Sequence, residues 1–519
     1  MADLLRDYRN ETPALLKHYA AHPSSVFTHP IAAKPWDPAL HADMVSYQEH
    51  LGAPKAVDGA GAVFITGQQP GIFTGPLYTI YKAITALKLA EKANQDGTES
   101  FVPIYWVGGD DHDFDEISRV HLLNKQHRAI SLLWEGTPGQ PALSIFRLPA
   151  REGLHGLIDT AVAEAPGSEF SGEIAAFLHD SVDAAENLSE WHARLMARLF
   201  RDTPLVMFTP ELNAARQVAV PVFEQEITHP LLSTNRLNAG GASLEEAGYG
   251  AQVVKDEVSC NFFVEHKNLR CRVHYVDGKF LLPDTGERFS TSEMTAWLHR
   301  DPMAFTANVA LRCVVQQHLF PVRAYIAGPG ELAYWGQLKG VFEAFETPMP
   351  IVYPRIRAVL TSLKTNKLLN KYGLKPSDFS APLTELEERA LRSGPQDPSL
   401  ALLKERRSAI EASLQGLSDD FKGLGKTGRG ATDLADQFSA SVRQSLEHLE
   451  RNLLRADANR TATVHNQLTR LSTELAPERK PQERYYTLFS WLFQYGWDLI
   501  PRLIRELDAA EQDVQEVEL

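Results

Sequence analysis

Three cysteines among 519 residues are too few for a disulfide framework. Cys260, Cys271 and Cys313 show no Cys-x-x-Cys spacing and read as buried free thiols in a reducing cytosol. No run of about 18 apolar residues is present, so no membrane-spanning helix is expected. The first thirteen residues are charged and lack an apolar stretch, so no signal peptide is expected either. Positive charge is also short, at 52 Lys and Arg against 66 Asp and Glu, for a net charge of −14. That excludes a long-range basic field for nucleic acid but leaves room for a local basic pocket. What is present is ordinary globular material, 44% hydrophobic and 23% charged, enough for more than one core. A soluble cytoplasmic protein is expected, with neither nucleic acid nor membrane as partner.

Five short, continuously apolar runs stand out: 62–65, 101–107, 205–208, 322–327 and 350–353. Helical stretches separate them, as between Leu77 and Ala93. Apolar runs of this length with helices between them read as parallel strands buried on both faces, in a doubly wound, Rossmann-like α/β sheet. Each run stops at glycine, proline or charge, so five loops are expected along one sheet edge: 67–76, 108–116, 209–211, 328–331 and 354–357. Ligands bind beyond that carboxyl edge in such sheets. Small β-containing insertions are expected near 121–200 and 245–300, the second with an Asp277-Gly278 hairpin turn.

The first loop, Gly67-Gln68-Gln69-Pro70-Gly71-Ile72-Phe73-Thr74-Gly75-Pro76, follows a strand and opens a helix that carries Lys82. Glycines let the backbone approach a ligand, and a helix N-terminus favours anions. The second loop holds five acids and His112 within residues 110–116. Helix capping accounts for one or two of these acids but not five. Asp111, His112 and Asp113 are therefore candidates to bind a metal, hold a substrate ammonium or transfer protons. Gly328-Pro329-Gly330-Glu331-Leu332-Ala333 fits G-x-G-x-x-A, yet the acid expected about 20 residues later for a ribose is missing. It reads as a nucleotide or substrate loop, with Tyr334 and Trp335 either lining the pocket or packing the helix. Gly425-Lys426-Thr427 has no strand before it and Asp420 where a P-loop needs glycine, so it reads as a loop.

Beyond Pro382 the composition turns to Leu, Glu, Arg, Ala and Gln. Leu400, Leu403, Ile410, Leu414, Leu417 and Phe421 fall at steps of three, four and seven. After a break at 423–430, Leu434, Phe438, Val442, Leu446 and Leu449 continue the steps on to Leu475. This heptad seam predicts two long antiparallel helices in a coiled coil, the second running from about 432 to 476 and about 65 Å long. The organisation expected is a core over 1–380, a coiled-coil arm over 381–480, and an aromatic-rich helix within 481–519 that packs back on the core.

GQQPGIFTGPLYTIYKA at 67–83, GGDDHDFDEI at 108–117 and AYIAGPGELAYWGQL at 324–338 resemble, in order, the signature blocks of the bacillithiol biosynthesis cysteine-adding enzyme family. The resemblance runs over nearly the whole chain, including the coiled coil and the closing Gln482-Glu483-Arg484 block. It implies a ligase that joins cysteine to glucosaminyl malate, on a Rossmann-like core whose coiled coil makes homodimers. Amide formation needs an activated carboxylate, so ATP or ADP is the expected cofactor, and no metal is assigned. A base must also deprotonate the attacking amine. On this footing His112 is assigned to acid/base work, and Asp111 and Asp113 to the cysteine ammonium or a cation. Gln69, Gly71, Thr74 and Gly75 are assigned to binding, as are Gly328, Gly330, Glu331, Tyr334 and Trp335. Arg312 and Gln316 are assigned to malate or phosphate oxygens. Two rival readings are a metal-dependent hydrolase built on the Asp/His cluster and a non-catalytic partner protein that recruits through its arm.

Overall fold

The five apolar runs form one parallel sheet: β1 (Ala62–Gln68), β2 (Phe101–Val107), β3 (Val206–Phe208), β4 (Val322–Ala327) and β5 (Ile351–Pro354). Its order is β5-β4-β1-β2-β3, and every neighbouring pair is parallel. All seven residues of β2 are buried, which is why its sequence does not alternate. Val63, Ile65, Ile104, Trp106 and Phe208 join one core cluster with Trp36 and Leu40. The helix Tyr78–Asp96 packs on β1 and β2. The chain runs outward from β1 through β2 to β3, then returns to β4 on the other side of β1. The switch point of the topology therefore lies between β1 and β4, where such sheets bind ligands.

The structure is a computed structural model and describes residues 3–30, 34–96, 99–111, 113–136, 143–150, 153–393, 398–424, 429–454 and 458–519. It divides into two compact units, residues 1–126, 130–358 and 483–517 against 127–129, 359–482 and 518–519. Within the first unit an antiparallel sheet of five strands is inserted between β3 and β4. Its central hairpin, Ser259–His266 with Leu269–Val276, continues into Lys279–Leu282 through the expected tight turn. Asp277 and Gly278 take the turn at φ 53° and 76°, the left-handed pair that matches strand twist. The aromatic-rich C-terminal stretch supplies two short helices to this unit, Phe489–Tyr495 and Leu499–Glu506, parted at Gly496 with φ 70°.

The second unit holds a pair of helices, Pro398–Gly423 and Arg429–Leu454, each of 26 residues and packed along each other. Arg429–Leu454 and Ala458–Leu475 are the described parts of the helix expected over about 432–476. In the latter, Val464, Leu468 and Leu471 share a buried cluster with Leu369, Leu386 and Leu391 within this unit. The heptad seam is only partly covered. Leu414 and Ala435 are buried, but Leu434 and Phe438 stand 67% and 56% exposed. The Gly425-Lys426-Thr427 loop lies outside the described residues. No helix among the described residues is long and apolar enough to cross a membrane.

Candidate active site at the strand ends

The carboxyl ends of β1, β2, β4 and β5 open into a cavity of about 680 Å³. Gly67, Gln68 and Gln69 enter from β1, Asp110 and Asp111 from the loop after β2. Gly328, Gly330 and Glu331 enter from the loop after β4, and Arg355 from that after β5. Phe263 and Arg270 reach the same cavity from the antiparallel insertion. Four of the five expected loops thus meet at the switch point. The fifth, 209–211, lies behind the second: Glu211 accepts a hydrogen bond from Ser189 at 2.8 Å beneath Gly109. A Cβ on Gly109 would fall 2.1 Å from a Glu211 carboxylate oxygen, so a larger residue there would have to displace the Glu211 and Ser189 side chains.

An ion pair braces the cavity floor. Lys82, fully buried on the helix after the first loop, pairs with Glu331 Oε2 at 2.7 Å. Its ammonium also donates to the Gly67 carbonyl and to Gln68 Oε1. Glu331 accepts from Gly328 N–H at 2.8 Å and from the Tyr325 hydroxyl. The pair therefore ties the ends of β1 and β4 together. Burial pulls Lys82 below its ordinary lysine value, with Glu331 opposing. Burial pushes Glu331 upward, but the Lys82 charge and hydrogen bond outweigh it and hold the carboxylate low. Arg312 reaches the cavity from the helix Leu311–Leu319 and donates to the Tyr334 hydroxyl at 2.9 Å.

The acidic loop is partly neutralised by its own surroundings. Asp110 is held by both terminal nitrogens of Arg216. Asp111 accepts from Gln69 Nε2, which joins the loops after β1 and β2. Asp113 caps the short helix Phe114–Ile117 by accepting from Glu116 N–H at 3.3 Å. Asp111 and Glu116 face the cavity. Burial, then Asp113 and Asp111, push the Glu116 carboxyl above its ordinary value. His112 lies outside the described residues.

Glu211 is pushed up to about 7, by burial first and then by Asp110, with the Ser189 bond opposing. Its folded value lies above its unfolded one. The folded state therefore binds the extra proton between about pH 4.5 and 7, and this group's contribution to stability falls as pH rises through that window. Glu211→Gln removes the effect. Thermal melts should show the variant gaining on the native protein by several degrees between pH 5 and pH 8. A pH-independent difference in Tm would count against the assignment.

The remaining residues expected from the sequence do not line this cavity. Gly71 and Gly75 close the first loop on itself, with Phe73, Thr74 and Gly75 at φ 48°, 64° and 70°. Thr74 is fully buried. The Gly71 carbonyl accepts from His192 Nδ1 at 3.0 Å, and the Tyr105 hydroxyl meets His192 Nε2 at 2.9 Å. Burial lowers His192 to about 4, so it is the neutral tautomer that supports the loop. Trp335 packs between Tyr325 and Phe342, and Gln316 is fully buried. Two cationic cavity residues carried no motif signal, Lys255 and Arg270, while Arg355 comes from the expected 354–357 loop. Arg484 belongs to the Gln482-Glu483-Arg484 block. Glu483 in that block binds Arg355 at 2.7 Å and the Ala358 N–H at 3.0 Å. Among the described residues, no three His, Cys, Asp or Glu side chains are grouped as metal ligands.

The strand order, the polar cavity at the switch point and the helical-pair unit define a Rossmann-like α/β protein with a coiled-coil domain. The family model described as bacillithiol biosynthesis BshC, N-terminal Rossmann-like domain, matches residues 3–356, and that of its C-terminal coiled-coil domain matches 358–519. The chain belongs to this BshC family. A Salinibacter ruber protein named "Putative cysteine ligase BshC" is 32% identical over 85% of this chain and 79% of its own. A protein of the same name from Prosthecochloris aestuarii is 31% identical over 89% of this chain and 84% of its own. A solved Campylobacter jejuni chain titled as a "putative arginyl t-RNA synthetase" covers 86% of this chain at 11% identity. It is covered over 98% of its own length, with a TM-score of 0.20.

Proposed function

We propose that this chain is a ligase that forms the amide between the carboxyl group of L-cysteine and the amine of glucosaminyl malate, giving bacillithiol. The observation that carries this reading, beyond family membership, is the charge of the cavity. Lys255, Arg270, Arg312, Arg355 and Arg484 face it beside Asp110, Asp111, Glu116 and Glu331. Malate brings two carboxylates, which suit guanidinium donors. Cysteine brings an ammonium, which suits Asp111. Glu116, with its raised pKa, is a carboxyl group suited to take a proton from the attacking amine, as is His112. The same cations suit phosphate oxygens, and ATP, when bound, supplies the leaving group that makes a carboxylate electrophilic. The site's own part is to hold the two substrates in line and to keep Arg312 and Glu331 fixed through Tyr334, Tyr325 and Lys82.

The decisive experiment is mass spectrometry of a reaction of purified protein with cysteine and glucosaminyl malate, with and without ATP. Formation of the amide by this protein alone supports the reading. No product without a second protein would favour the partner-protein alternative, and loss of turnover on chelation would favour metal-dependent chemistry.

We also propose a homodimer through the helical pair. Leu402, Leu417, Leu434, Phe438 and Leu449 are exposed apolar side chains on its two helices, with Leu424 just past the end of the first, and a second copy would cover them. Light scattering at micromolar concentration should give a dimer, and L434E/F438E should halve the mass. A monomeric native protein would end the idea.

A further inference from the structure

One part of the cavity wall is neither helix nor strand, yet it is tightly held. Gln252, Val253 and Lys255 face the cavity from a segment without regular structure. Gln337 is fully buried beside it. Its Oε1 accepts from the N–H groups of Gln252 and Val253 at 2.9 Å each, and its Nε2 donates to the Val253 carbonyl at 2.7 Å. Asn238 takes over two residues later. Its Nδ2 donates to the Lys255 carbonyl at 2.8 Å, and its Oδ1 accepts from the Lys255 N–H at 3.1 Å. Two side-chain amides thus mimic a strand partner for this segment.

The helix Leu232–Glu246 is shaped to admit them. It carries Asn238 and then Gly240 and Gly241. A Cβ on Gly240 would lie 2.3 Å from the Gln337 carbonyl oxygen, and one on Gly241 2.8 Å from Gln337 Nε2. Paired glycines weaken a helix interior, and here they let Gln337 reach the segment.

Lys255 is the side chain that this arrangement presents. Its ammonium has no carboxylate within ion-pair distance among the described residues. Arg270 lines the same cavity, hydrogen-bonded to Thr306 Oγ1 at 3.0 Å and lying over the Phe263 ring at 3.6 Å. Burial, then Arg270, pull Lys255 below the ordinary lysine value. Asp111, Asp110 and Glu265 offset the charge of Arg270, whereas Lys255 has no such carboxylate pair among the described residues, so an anionic group beside Lys255 lowers the cost of its burial.

We infer that Lys255 is a further substrate-binding residue, taking a carboxylate or phosphate oxygen together with Arg270, and that Gln337 and Asn238 are the positioning residues that hold it there. The inference rests on the proposed ligase reading, whose substrates supply both kinds of anion. L-malate and inorganic pyrophosphate are the probes, titrated calorimetrically into the full-length protein. Lys255→Met should weaken one of them by about 10–100-fold, the range for losing a hydrogen bond to a charged group, and so identify the source of the anion. Lys255→Arg should retain most of the affinity. Gln337→Ala keeps the ammonium but frees its segment, and should raise KM for the matching substrate while kcat stays within about threefold. Unchanged affinity for both probes in a normally melting Lys255→Met protein overturns the inference. So does failure of the native protein to bind either probe at millimolar concentration. If Lys255→Met weakens a probe but the native protein makes no amide, the anion site stands and the ligase reading falls.

Discussion

Glu331→Ala is expected to destabilise the protein by about 3–5 kcal/mol near pH 6, the cost of leaving a buried charge without its partner. Lys82 is fully buried, and Glu331 is its one carboxylate partner among the described residues. The substitution also removes the acceptor for Tyr325 and for the Gly328 N–H, so the end of β4 loses its tie to the end of β1. The loss should depend on pH. Burial already holds Lys82 below its unfolded value, and without Glu331 it falls further. The unfolded state then binds the extra proton, so stability rises with pH through the window below the ordinary lysine value. Urea unfolding should therefore show a smaller deficit at pH 9 than at pH 6. Lys82→Met placed on top of Glu331→Ala should recover part of the loss, because it removes the stranded charge. A single variant within about 1 kcal/mol of the native protein at pH 6, or a double variant worse than the single, would contradict this account.

The sheet could be read from the sequence because burial on both faces leaves unbroken apolar runs, and β2 is the clearest of them. Its loops were equally visible, since glycine and charge end each run. The acidic loop stood out through its cost, and part of that cost proves to be met within the protein by Arg216 and Gln69. Lys255 and Arg270 were not legible. They reach the cavity because an antiparallel insertion folds over the sheet edge, and nothing local to Arg270 within Leu269–Val276 records that. Thr74 was legible as a loop residue but not in its direction. Three successive positive φ values turn the loop inward, and its support comes from His192, more than a hundred residues away. The heptad steps marked apolar positions in the coiled coil. They could not say that Leu434 would face out while Ala435 faced in, because spacing does not name the partner that covers a face.

The acidic loop should separate binding from chemistry. Asp111 projects into the cavity and is oriented by Gln69 from the neighbouring strand end. Asp111→Asn keeps the shape, and an asparagine can still bond with Gln69, but the charge that would meet the cysteine ammonium is gone. KM for cysteine should rise about 10–100-fold, as for losing a hydrogen bond to a charged group, while KM for glucosaminyl malate changes little. His112→Ala acts on the other quantity. If the imidazole moves the amine's proton, kcat should fall about 10²–10⁴-fold with both KM values nearly unchanged. Neither variant should lower Tm by more than a few degrees, because polar loop side chains contribute little to the core. Steady-state kinetics with each substrate varied in turn, set beside thermal melts, decide the matter. Should either variant keep near-normal turnover and lose only stability, the loop is a structural cap of the short helix that follows it, as Asp113 is for Glu116 N–H.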